Sequence, residues 1–445
     1  MDKSEHRESK VMGTGRLAIY GGKPTLRRRY RDRWRRIRRR DLAKIVFFGL
    51  RDINTRAGGG PISRFEGKFC DLTDSRYGLT VNSGTAALHS AFFAVGAGPG
   101  TEVIVPTYTF FASAAPILPC GATPVFCDID PLTLTADPDD VERRITSRTR
   151  AICVVHVWGN PARMDRFVEI SKKHGVALIE DCSHAHGATF QGRPVGGWGD
   201  VGCFSLQGLK AVSGGELGIA VTNNPELYDR MLVLAHFGRT GTDQAAGTFD
   251  IDGLALGLKY RPHLYGVILA EGSLSRLSEL NRLRRRNYAI LTEELKDCSA
   301  VQPIASYPES VRGGLLEFIL KFDPSQAGGW NRGAFITAAQ AEGVPLTVDR
   351  YTLVGRKARL LHEAPLFTHV AAEALEGFVP QTAEPAMPRP TSSSLEEFPG
   401  AESIAERLVR LPPFTRVSEN YVRACGRGLR KVAEQASKLG TSLPE

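Results

Sequence analysis

The sequence predicts an α/β protein built on a mainly parallel β-sheet. Between residues 77 and 181, short apolar runs typical of buried strands alternate with helical patterns. The strand candidates are residues 77–81, 102–106, 124–128, 151–157 and 176–181, and the helical patterns cover residues 88–95, 139–145 and 164–174. Strands that alternate with helices pair in parallel and are covered by helices on both faces. Ligands of such sheets bind at the carboxyl ends of the strands.

The remaining elements suggest two domains behind an N-terminal arm. Further strands are expected at residues 201–206, 218–221 and 315–322, and helices at 42–50, 225–237, 264–295, 332–343 and 417–439. The long helical stretch is expected to break near Gly272 and to expose its basic run, residues 282–286. We predict an arm with a helix over residues 1–60, a large domain over 61–285 and a smaller one over 286–445. Residues 379–400 are rich in Pro, Ser and Thr and are predicted to be a surface loop.

The composition is that of a globular protein. The chain has 445 residues, of which 42% are hydrophobic, enough for more than one domain with its own core. It contains no apolar run of about eighteen residues, and its first residues lack the apolar core of a signal peptide. We therefore expect a cytoplasmic protein with no membrane partner. The eight cysteines occur singly, without a CxxC pair, which predicts reduced, buried thiols and no metal site.

The basic excess of the chain lies in its first fifty residues. They hold 16 Lys and Arg against 5 Asp and Glu, and ten arginines lie between Arg27 and Arg40, whereas the formal charge of the whole chain is +9. One interpretation is an arm that binds phosphates of nucleic acid or of a nucleotide-linked substrate. The other is a solvated arm with Trp34 and Ile37 packed against the body. We favour the second, since arginine clusters without a recognition module are weak evidence for nucleic-acid binding.

Lys210 is the candidate nucleophile of this sequence. It follows a predicted buried strand that ends in two hydrogen-bonding side chains, Ser205 and Gln207, and it precedes a turn at Gly214 and Gly215. A lysine held away from bulk water at such a junction can lose its proton and attack an aldehyde. The alternative is an ordinary solvated loop lysine, because most lysines are exposed.

Two other segments have features of a binding site. Ser83, Gly84 and Thr85 form a turn between a strand and a helix, where free N–H groups and the helix dipole favour a phosphate; an ordinary N-cap is the alternative. Asp181 ends a buried strand and is followed by His184. A carboxylate there can pair with a protonated ring nitrogen of a cofactor, or it can cap the next segment.

Several separated motifs resemble one enzyme family. They include VNSGTAALHS at residue 81, VALIEDCSHAHG at 176, GCFSLQGLK at 202, GGELG at 214, GLKYR at 257 and AEGVPLTVDRY at 341. In this order they resemble the DegT/DnrJ/EryC1/StrS family of pyridoxal-phosphate (PLP) sugar aminotransferases, from about Arg16 to the C-terminal helix. The resemblance implies the PLP-dependent transferase fold of type I, which is aspartate-aminotransferase-like. It combines a large domain on a mainly parallel seven-stranded sheet with a smaller α+β C-terminal domain.

The resemblance also implies roles for individual residues. Lys210 would be joined covalently to PLP and would shuttle the proton between cofactor and substrate carbons. Asp181 would pair with the pyridine nitrogen, and His184 would lie by the ring and its phenolic oxygen. Further cofactor-binding roles fall to Gly84, Thr85, Ser205 and Gln207 at the phosphate, to Phe110 stacked on the ring, and to Lys259, supplied to the phosphate by the partner subunit. The last role implies a homodimer with a shared active site.

The sequence departs from the family pattern in two places. The family's GEGG is GELG here, so Leu217 adds bulk that can alter the pocket or its loop. The arginine-rich start is more basic than that of typical members. Neither departure removes a catalytic group, and Lys210 argues against the dehydratase branch, which has histidine at that position.

The expected activity is amination of a keto group. The resemblance implies a PLP-dependent aminotransferase that acts on a nucleotide-activated sugar or a cyclitol, with glutamate or glutamine as amino donor. Another PLP reaction on a sugar or amino acid is an alternative on the same fold. A non-catalytic or regulatory protein that uses its arginine arm is the alternative from a different class, and the presence of both Lys210 and Asp181 argues against it.

Overall fold

The computed structural model describes most of the chain. It covers residues 15–27, 30–34, 37–51, 53–54, 59–240, 242–351, 360–367 and 398–440. The loop predicted over residues 379–400 lies outside the described residues up to residue 397. Four of the arginines between Arg27 and Arg40 lie outside them as well, at positions 28, 29, 35 and 36.

The β-strands form one large sheet and two smaller ones. They are β1 (Tyr77–Val81), β2 (Glu102–Pro106), β3 (Thr123–Cys127), β4 (Thr149–Val155), β5 (Ala177–Asp181), β6 (Thr189–Phe190), β7 (Arg193–Pro194), β8 (Val201–Ser205), β9 (Gly218–Thr222), β10 (Val301–Pro303), β11 (Ser310–Val311), β12 (Phe318–Phe322), β13 (Thr347–Val348) and β14 (Leu408–Leu411). The large sheet has the order β1-β9-β8-β5-β4-β2-β3, with β9 antiparallel to both neighbours and the directly paired strands β3, β2, β4, β5 and β8 parallel. The predicted α/β fold with a mainly parallel seven-stranded sheet is confirmed.

The helices cover both faces of this sheet. Those of the described residues are α1 (Arg39–Gly49), α2 (Pro61–Thr73), α3 (Gly84–Ala94), α4 (Pro138–Arg143), α5 (Met164–His174), α6 (Pro225–Ala235), α7 (Leu264–Leu274), α8 (Leu277–Leu295), α9 (Arg332–Ala341), α10 (Pro399–Ile404) and α11 (Glu419–Leu439). Successive side chains of a strand point to opposite faces. In β8, Cys203 enters the core beneath α3 and α6, whereas Phe204 enters the core beneath α2 and α7. The strands of the large sheet are mostly apolar because both faces are buried.

A second, antiparallel sheet forms a separate core. Its order is β10-β12-β14-β13, and α8, α9 and α11 pack against it. Leu17 and Leu26 from the start of the described chain are buried in this core. Glu342 holds that segment in place by accepting hydrogen bonds from the N–H groups of Ala18 and Thr25, both at 2.8 Å. The division of the chain into an arm and two domains stays a prediction.

The described part of the arginine-rich segment is packed on the protein surface. Trp34 lies between two guanidinium groups, that of Arg276 at 4.9 Å and that of Arg416 at 5.3 Å from the ring centre. Arg38 pairs with Asp41 and donates a 2.8 Å hydrogen bond to the carbonyl of Gly272. The predicted packing of Trp34 is confirmed. Ile37 is 50% exposed and lines a small cavity with Leu269 and Leu280, so its predicted packing against the body is only partial.

The expectation that residues 282–286 lie on an exposed face is confirmed for Arg282 and is wrong for the buried residues Leu283 and Arg284. Arg284 is 3% exposed and donates hydrogen bonds to the carbonyl oxygens of Gly314 and Leu315 and to the hydroxyl of Thr415. Helix α8 is covered on this side by the turn before β12 and by the segment after β14. A buried guanidinium is tolerated there because several acceptors satisfy its donors.

Acidic solution is expected to destabilise the fold, in part through His236 at the end of α6. The residue is 1% exposed, and neither ring nitrogen has a hydrogen-bond partner within the described part of the chain. Desolvation and, to a smaller extent, the charges of Arg239 and Arg261 lower the pKa of His236 to about 3. Below about pH 6.5 the unfolded chain therefore binds a proton that the folded chain does not. The free energy of unfolding then falls by about 1.4 kcal/mol per pH unit as the pH drops from 6.5 towards 3.

Thermal unfolding near pH 7.5 and near pH 5 checks this prediction. His236→Phe keeps the buried volume and removes the titrating group, so the difference in Tm between the two pH values should be smaller than in the wild type. Burial also lowers the pKa of His184 and His186, so part of the acid effect should persist in the variant. An unchanged difference in Tm would contradict the assignment to His236.

Candidate active site

A cavity of about 640 Å³ lies at the carboxyl ends of β5 and β8 and at the start of α3. Eight of the nine predicted site residues line it. They are Gly84, Thr85, Phe110, Asp181, His184, Ser205, Gln207 and Lys210. These side chains come from segments up to 126 positions apart and meet because parallel strands end at the same edge of the sheet. Eight predicted site residues therefore lie together at this edge of the sheet.

Lys210 lies in the loop between β8 and β9, and its side chain lines the cavity. The pKa of its amine is lowered to about 8, mainly by desolvation and also by the charge of Arg350, while the carboxylates of Asp181 and Glu317 oppose the shift. A substantial fraction of the amine is therefore neutral near pH 8, as a nucleophile requires. The structure does not support the alternative of a solvated loop lysine.

Gln207 stabilises the loop that carries Lys210 by accepting two backbone hydrogen bonds. Its side-chain Oε1 accepts a 2.9 Å hydrogen bond from the N–H of Leu209, and its carbonyl accepts a 2.8 Å bond from the N–H of Lys210. These bonds make a tight turn that holds Lys210 in place. The side-chain oxygen of Gln207 is thus occupied inside the loop, and its amide nitrogen remains for a ligand.

Asp181 ends β5 with its carboxylate in the cavity wall. The residue is 4% exposed. Ser113 donates a 2.7 Å hydrogen bond to Oδ2, and the N–H of Ser183 donates a 3.0 Å bond to Oδ1. Two donors leave further lone pairs on a buried carboxylate, so it can still accept a bond from a cationic ring nitrogen. Sequence reasoning missed Ser113, which lies 68 positions before its partner.

His184 is held in one tautomer by two neighbours. The N–H of Trp158 donates to Nδ1 at 3.2 Å, so the neutral ring carries its proton on Nε2, 2.7 Å from the hydroxyl oxygen of Tyr351. Desolvation lowers the pKa of His184 well below its usual value, and the charge of Lys210 lowers it further. The rings of Trp158, His184 and Tyr351 are stacked, and the angle between the planes of His184 and Tyr351 is 8°. Tyr351 also lines the cavity and was not predicted from the sequence.

The start of α3 forms an anion-binding turn against the end of β8. The hydroxyl of Ser83 caps the helix by accepting a 3.1 Å bond from the N–H of Ala86. A Cβ on Gly84 would lie 2.6 Å from the Cβ of Ser205, so only glycine permits this close approach. The first N–H groups of a helix have no acceptor within the helix, which leaves those of Gly84 and Thr85 available to a phosphate.

Gly84→Ala is expected to weaken both the fold and phosphate binding. The added methyl group must push the start of α3 away from Ser205, at an estimated cost of about 1–3 kcal/mol in unfolding free energy. We expect a lower Tm and a dissociation constant for PLP that rises about tenfold, as one charge-assisted hydrogen bond is lost. Gly67→Ala in α2 is the control, because no atom lies within 4 Å of its added Cβ. Wild-type affinity for PLP in Gly84→Ala would contradict the assignment.

Leu217 is accommodated without closing the cavity. It is fully buried and packs in the core that includes Val267 of α7. Its methyl groups occupy space left by two glycines, since a Cβ on Gly214 would lie 2.9 Å from one of them and a Cβ on Gly266 would lie 3.6 Å from the other. The bulk that distinguishes GELG from the family pattern is therefore absorbed largely by the core.

Lys259 lies outside the cavity of its own chain. It is exposed, and its carbonyl oxygen is 3.5 Å from the side-chain nitrogen of Asn82, the residue before the Ser83 cap. Phe110 is 45% exposed at the cavity mouth, 6.1 Å from the ring of Tyr351, so one face of its ring is accessible to a ligand. A single chain thus contains the predicted site except for the residue expected from a partner.

A buried group with metal-ligand chemistry lies on the other side of Asp181. His156, Glu180 and Cys182 are within reach of one ion. The Glu180 oxygens, however, accept bonds from three backbone N–H groups of residues 196–199, and one of them also pairs with His156 at 3.1 Å. These bonds use the carboxylate to anchor the loop after β7, and we assign it a structural role.

Comparison with known proteins agrees with this geometry. Residues 50–375 match the model of the DegT/DnrJ/EryC1/StrS aminotransferase family. An L-glutamine:2-deoxy-scyllo-inosose aminotransferase from Micromonospora echinospora is 33% identical over 371 residues, which are 80% of this chain and 86% of that protein. The crystal structure of DesI with its TDP-sugar product has a TM-score of 0.73 and 28% identity over 95% of this chain and 97% of that one.

A Streptococcus pneumoniae protein solved in its PLP form is 23% identical, with a TM-score of 0.72 over 92% of this chain and all of that one, and it shares the fold. Among the described residues, no helix combines the length and the apolar character needed to cross a membrane. The family match and the relative that aligns over most of both chains therefore place this chain in the DegT/DnrJ/EryC1/StrS aminotransferase family of PLP-dependent enzymes.

Proposed function

We propose that this aminotransferase converts a keto group of a cyclitol into an amine, with L-glutamine as amino donor. One observation carries the proposal: Lys210, with a pKa of about 8, and the buried carboxylate of Asp181 line the same cavity. The choice of a cyclitol and of glutamine rests on the M. echinospora relative, whose name states both. A nucleotide-activated keto sugar is the alternative acceptor, because DesI was solved with a TDP-sugar, and glutamate is the alternative donor.

The cavity residues fit PLP. Lys210 would hold its aldehyde carbon, Asp181 its ring nitrogen, and the N–H groups of Gly84 and Thr85 with the hydroxyl of Ser205 its phosphate. The close approach of Gly84 to Ser205 forms the cradle that a phosphate needs, and a Cβ would fill it. Phe110 would stack on the ring, and His184 would lie beside it. When bound, PLP supplies an electron sink that stabilises negative charge on the substrate carbon.

The protein side chains supply proton transfer and orientation. Asp181, held by Ser113 and the N–H of Ser183, would accept a hydrogen bond from the protonated ring nitrogen of PLP. The amine of Lys210 takes a proton from the donor carbon in the first half of the cycle and returns one to the acceptor carbon in the second. The neutral ring of His184 and its partner Tyr351 keep this side of the cavity free of added charge.

We also propose a homodimer in which Lys259 binds the phosphate in the neighbouring subunit. Lys259 is exposed on its own chain and lies outside its own cavity. The same segment exposes apolar side chains, with Leu254 45% and Leu256 57% exposed, and contact with a second chain would bury them. A mixture of Lys210→Ala and Lys259→Glu chains checks the proposal. Mixed dimers should regain one intact site, whereas each variant alone should be inactive.

A cytoplasmic location is part of the proposal. All eight cysteines are free thiols, and six of them are buried. Burial raises the pKa of Cys153 and Cys203 well above the usual value, so these thiols are unreactive small core residues. A reducing compartment suits such a set of cysteines.

The test of the function is a two-stage assay with the purified holoenzyme. L-Glutamine or L-glutamate is first added alone, and the absorbance of the cofactor is followed; loss of the visible band shows that the donor has reacted. Keto-cyclitols and nucleotide-linked keto sugars are then offered separately, and amine products are identified by mass spectrometry. We expect glutamine to abolish the visible absorbance band and a keto-cyclitol to restore it. If neither amino acid changes the spectrum, the proposed function is wrong; if only nucleotide sugars restore the band, the cyclitol assignment is wrong.

A further inference from the structure

The lining of the active-site cavity contains one cation that the cofactor does not require. Its charged side chains among the described residues are Lys210, Asp181, Glu216 and Arg350. The first two are assigned to PLP. Arg350 follows β13, beside the Tyr351 that contacts His184, and 44% of its side chain is exposed.

The guanidinium of Arg350 is anchored along one edge only. Its Nε donates a 2.6 Å hydrogen bond to Oε1 of Glu317. That same oxygen accepts a bond from Arg410 on β14 at 2.5 Å, and Arg410 also donates to the carbonyl of Val348 at 2.9 Å. Glu317 is 3% exposed, so this anchor is buried while the guanidinium reaches the cavity. The two terminal nitrogens of Arg350 have no recorded partner in the described part of the chain.

This arrangement suits a carboxylate. A guanidinium whose Nε is occupied presents its two terminal nitrogens as a planar pair, which matches the two oxygens of a carboxylate. The Arg350–Glu317–Arg410 cluster has a net charge of +1, and the buried carboxylate of Asp349, whose charge acts on Glu317 and Arg410, offsets it. A carboxylate is therefore recognised by the open edge of the guanidinium rather than by an excess of positive charge. Arg350 and Lys210 line the same cavity, and the charge of Arg350 lowers the pKa of both Lys210 and His184.

We propose that Arg350 binds the α-carboxylate of the amino donor and that Glu317 is its positioning residue. The inference rests on the proposed function, in which the donor is an amino acid. The α-carboxylate is attached to the reacting carbon itself, so its binding group must lie close to Lys210. The diphosphate of a nucleotide sugar is separated from its keto carbon by the sugar ring and would need a cation farther away. A keto-cyclitol carries no charge, so Arg350 gives the donor an interaction that the acceptor lacks.

The experiment compares Arg350→Gln, Arg350→Lys and the control Arg332→Gln. Arg332 at the start of α9 donates to the carbonyls of Ala405 and Leu408 and is not in the described cavity lining. Binding of glutaramate, which keeps the carboxylate of glutamine and lacks its α-amine, is measured by calorimetry on the holoenzyme. Arg350→Gln should raise its dissociation constant by about 10- to 100-fold. Arg350→Lys should recover only part of this loss, and Arg332→Gln should resemble the wild type.

Half-reaction kinetics separate donor from acceptor. Arg350→Gln should raise the KM for L-glutamine by a similar factor and should leave the acceptor half-reaction within about threefold of the wild type. For a donor whose α-carboxylate is replaced by a carboxamide, the variant and the wild type should react alike. Glu317→Gln keeps the charge of Arg350 and loosens its position, so it should raise the KM for glutamine with little change in the maximal rate, and it should not affect the carboxamide donor.

The possible results distinguish the two proposals. If the wild type reacts with neither glutamine nor glutamate, the proposed function fails and the role of Arg350 fails with it. If the wild type reacts and Arg350→Gln binds glutaramate as tightly as the wild type, only the role of Arg350 is overturned. A variant that loses affinity for a nucleotide-linked acceptor while keeping that for the donor would assign Arg350 to the acceptor and would likewise overturn the proposal.

Discussion

Lys210→Ala is expected to lower the rate of amino transfer by about 10⁴-fold or more, because one side chain both holds the cofactor and moves the proton. The cavity lining among the described residues contains no second lysine that could replace it. The visible absorbance band of the holoenzyme should also disappear, even if PLP remains bound through its phosphate. Steady-state assays and the absorbance spectrum of the purified variant measure the two effects.

Lys296→Ala is the control for the loss of a lysine. Lys296 is exposed at the end of α8, outside the described cavity lining, so this variant should keep the spectrum and the rate of the wild type. Borohydride reduction of the wild type should fix PLP covalently to its lysine. Peptide mapping should then find the reduced PLP group on the peptide that contains Lys210. A label on another lysine, or an active Lys210→Ala protein with a visible band, would remove the basis of the proposed function.

Asp181→Asn is expected to lower the maximal rate by about 10³-fold while leaving the fold intact. The amide has nearly the shape of the carboxylate: its oxygen can accept the bond from the N–H of Ser183, and its NH2 group can donate to the hydroxyl oxygen of Ser113 once that hydroxyl has rotated. It lacks the negative charge that keeps a ring nitrogen protonated, so the cofactor loses most of its ability to accept electrons. A comparable change of a buried Asp to Asn in the serine proteases reduces kcat by about 10⁴-fold. Half-reaction kinetics and the pH dependence of the cofactor spectrum measure the effect.

Asp128→Asn is the matched control for Asp181→Asn. Asp128 is also a buried carboxylate, and it accepts hydrogen bonds from the N–H groups of Gly400 and Ala401 at the start of α10, outside the described cavity lining. This variant should lose some thermal stability and keep its rate. If Asp181→Asn kept the rate of the wild type, the carboxylate would have no role at the ring nitrogen.

The local sequence pattern was sufficient to predict several strands of the large sheet and one of the helices that cover it. Residues 77–81, 102–106 and 164–174 were predicted with the bounds that the structure shows. The pattern works there because strands buried on both faces require continuous apolar runs, and turns require glycine and short polar residues. Since ligands of parallel sheets bind at the carboxyl ends of the strands, this pattern also identified Asp181 as a candidate site residue.

Local pattern failed where burial depends on distant segments. Arg284 belongs to a run of arginines that reads as a solvated helix face, yet the turn before β12 and the segment after β14 cover it and supply its acceptors. Tyr351 and Ser113 have no motif of their own. Each was missed because its partner in the cavity, His184 or Asp181, lies 167 or 68 positions away.

The order of strands and helices, the lysine after β8, the acid that ends β5 and the glycine turn before α3 were determined by the amino-acid sequence alone. These features arise from the periodicity of side chains along the backbone and from the conformational freedom of glycine, which act over a few residues. Only the tertiary structure decided that His184 meets Tyr351, that Leu217 fits between two glycines, and that Glu317 and Arg410 hold Arg350 at the cavity. The physical reason is that such contacts depend on how separate segments pack in three dimensions, and the periodicity of side chains within one segment does not specify its neighbours.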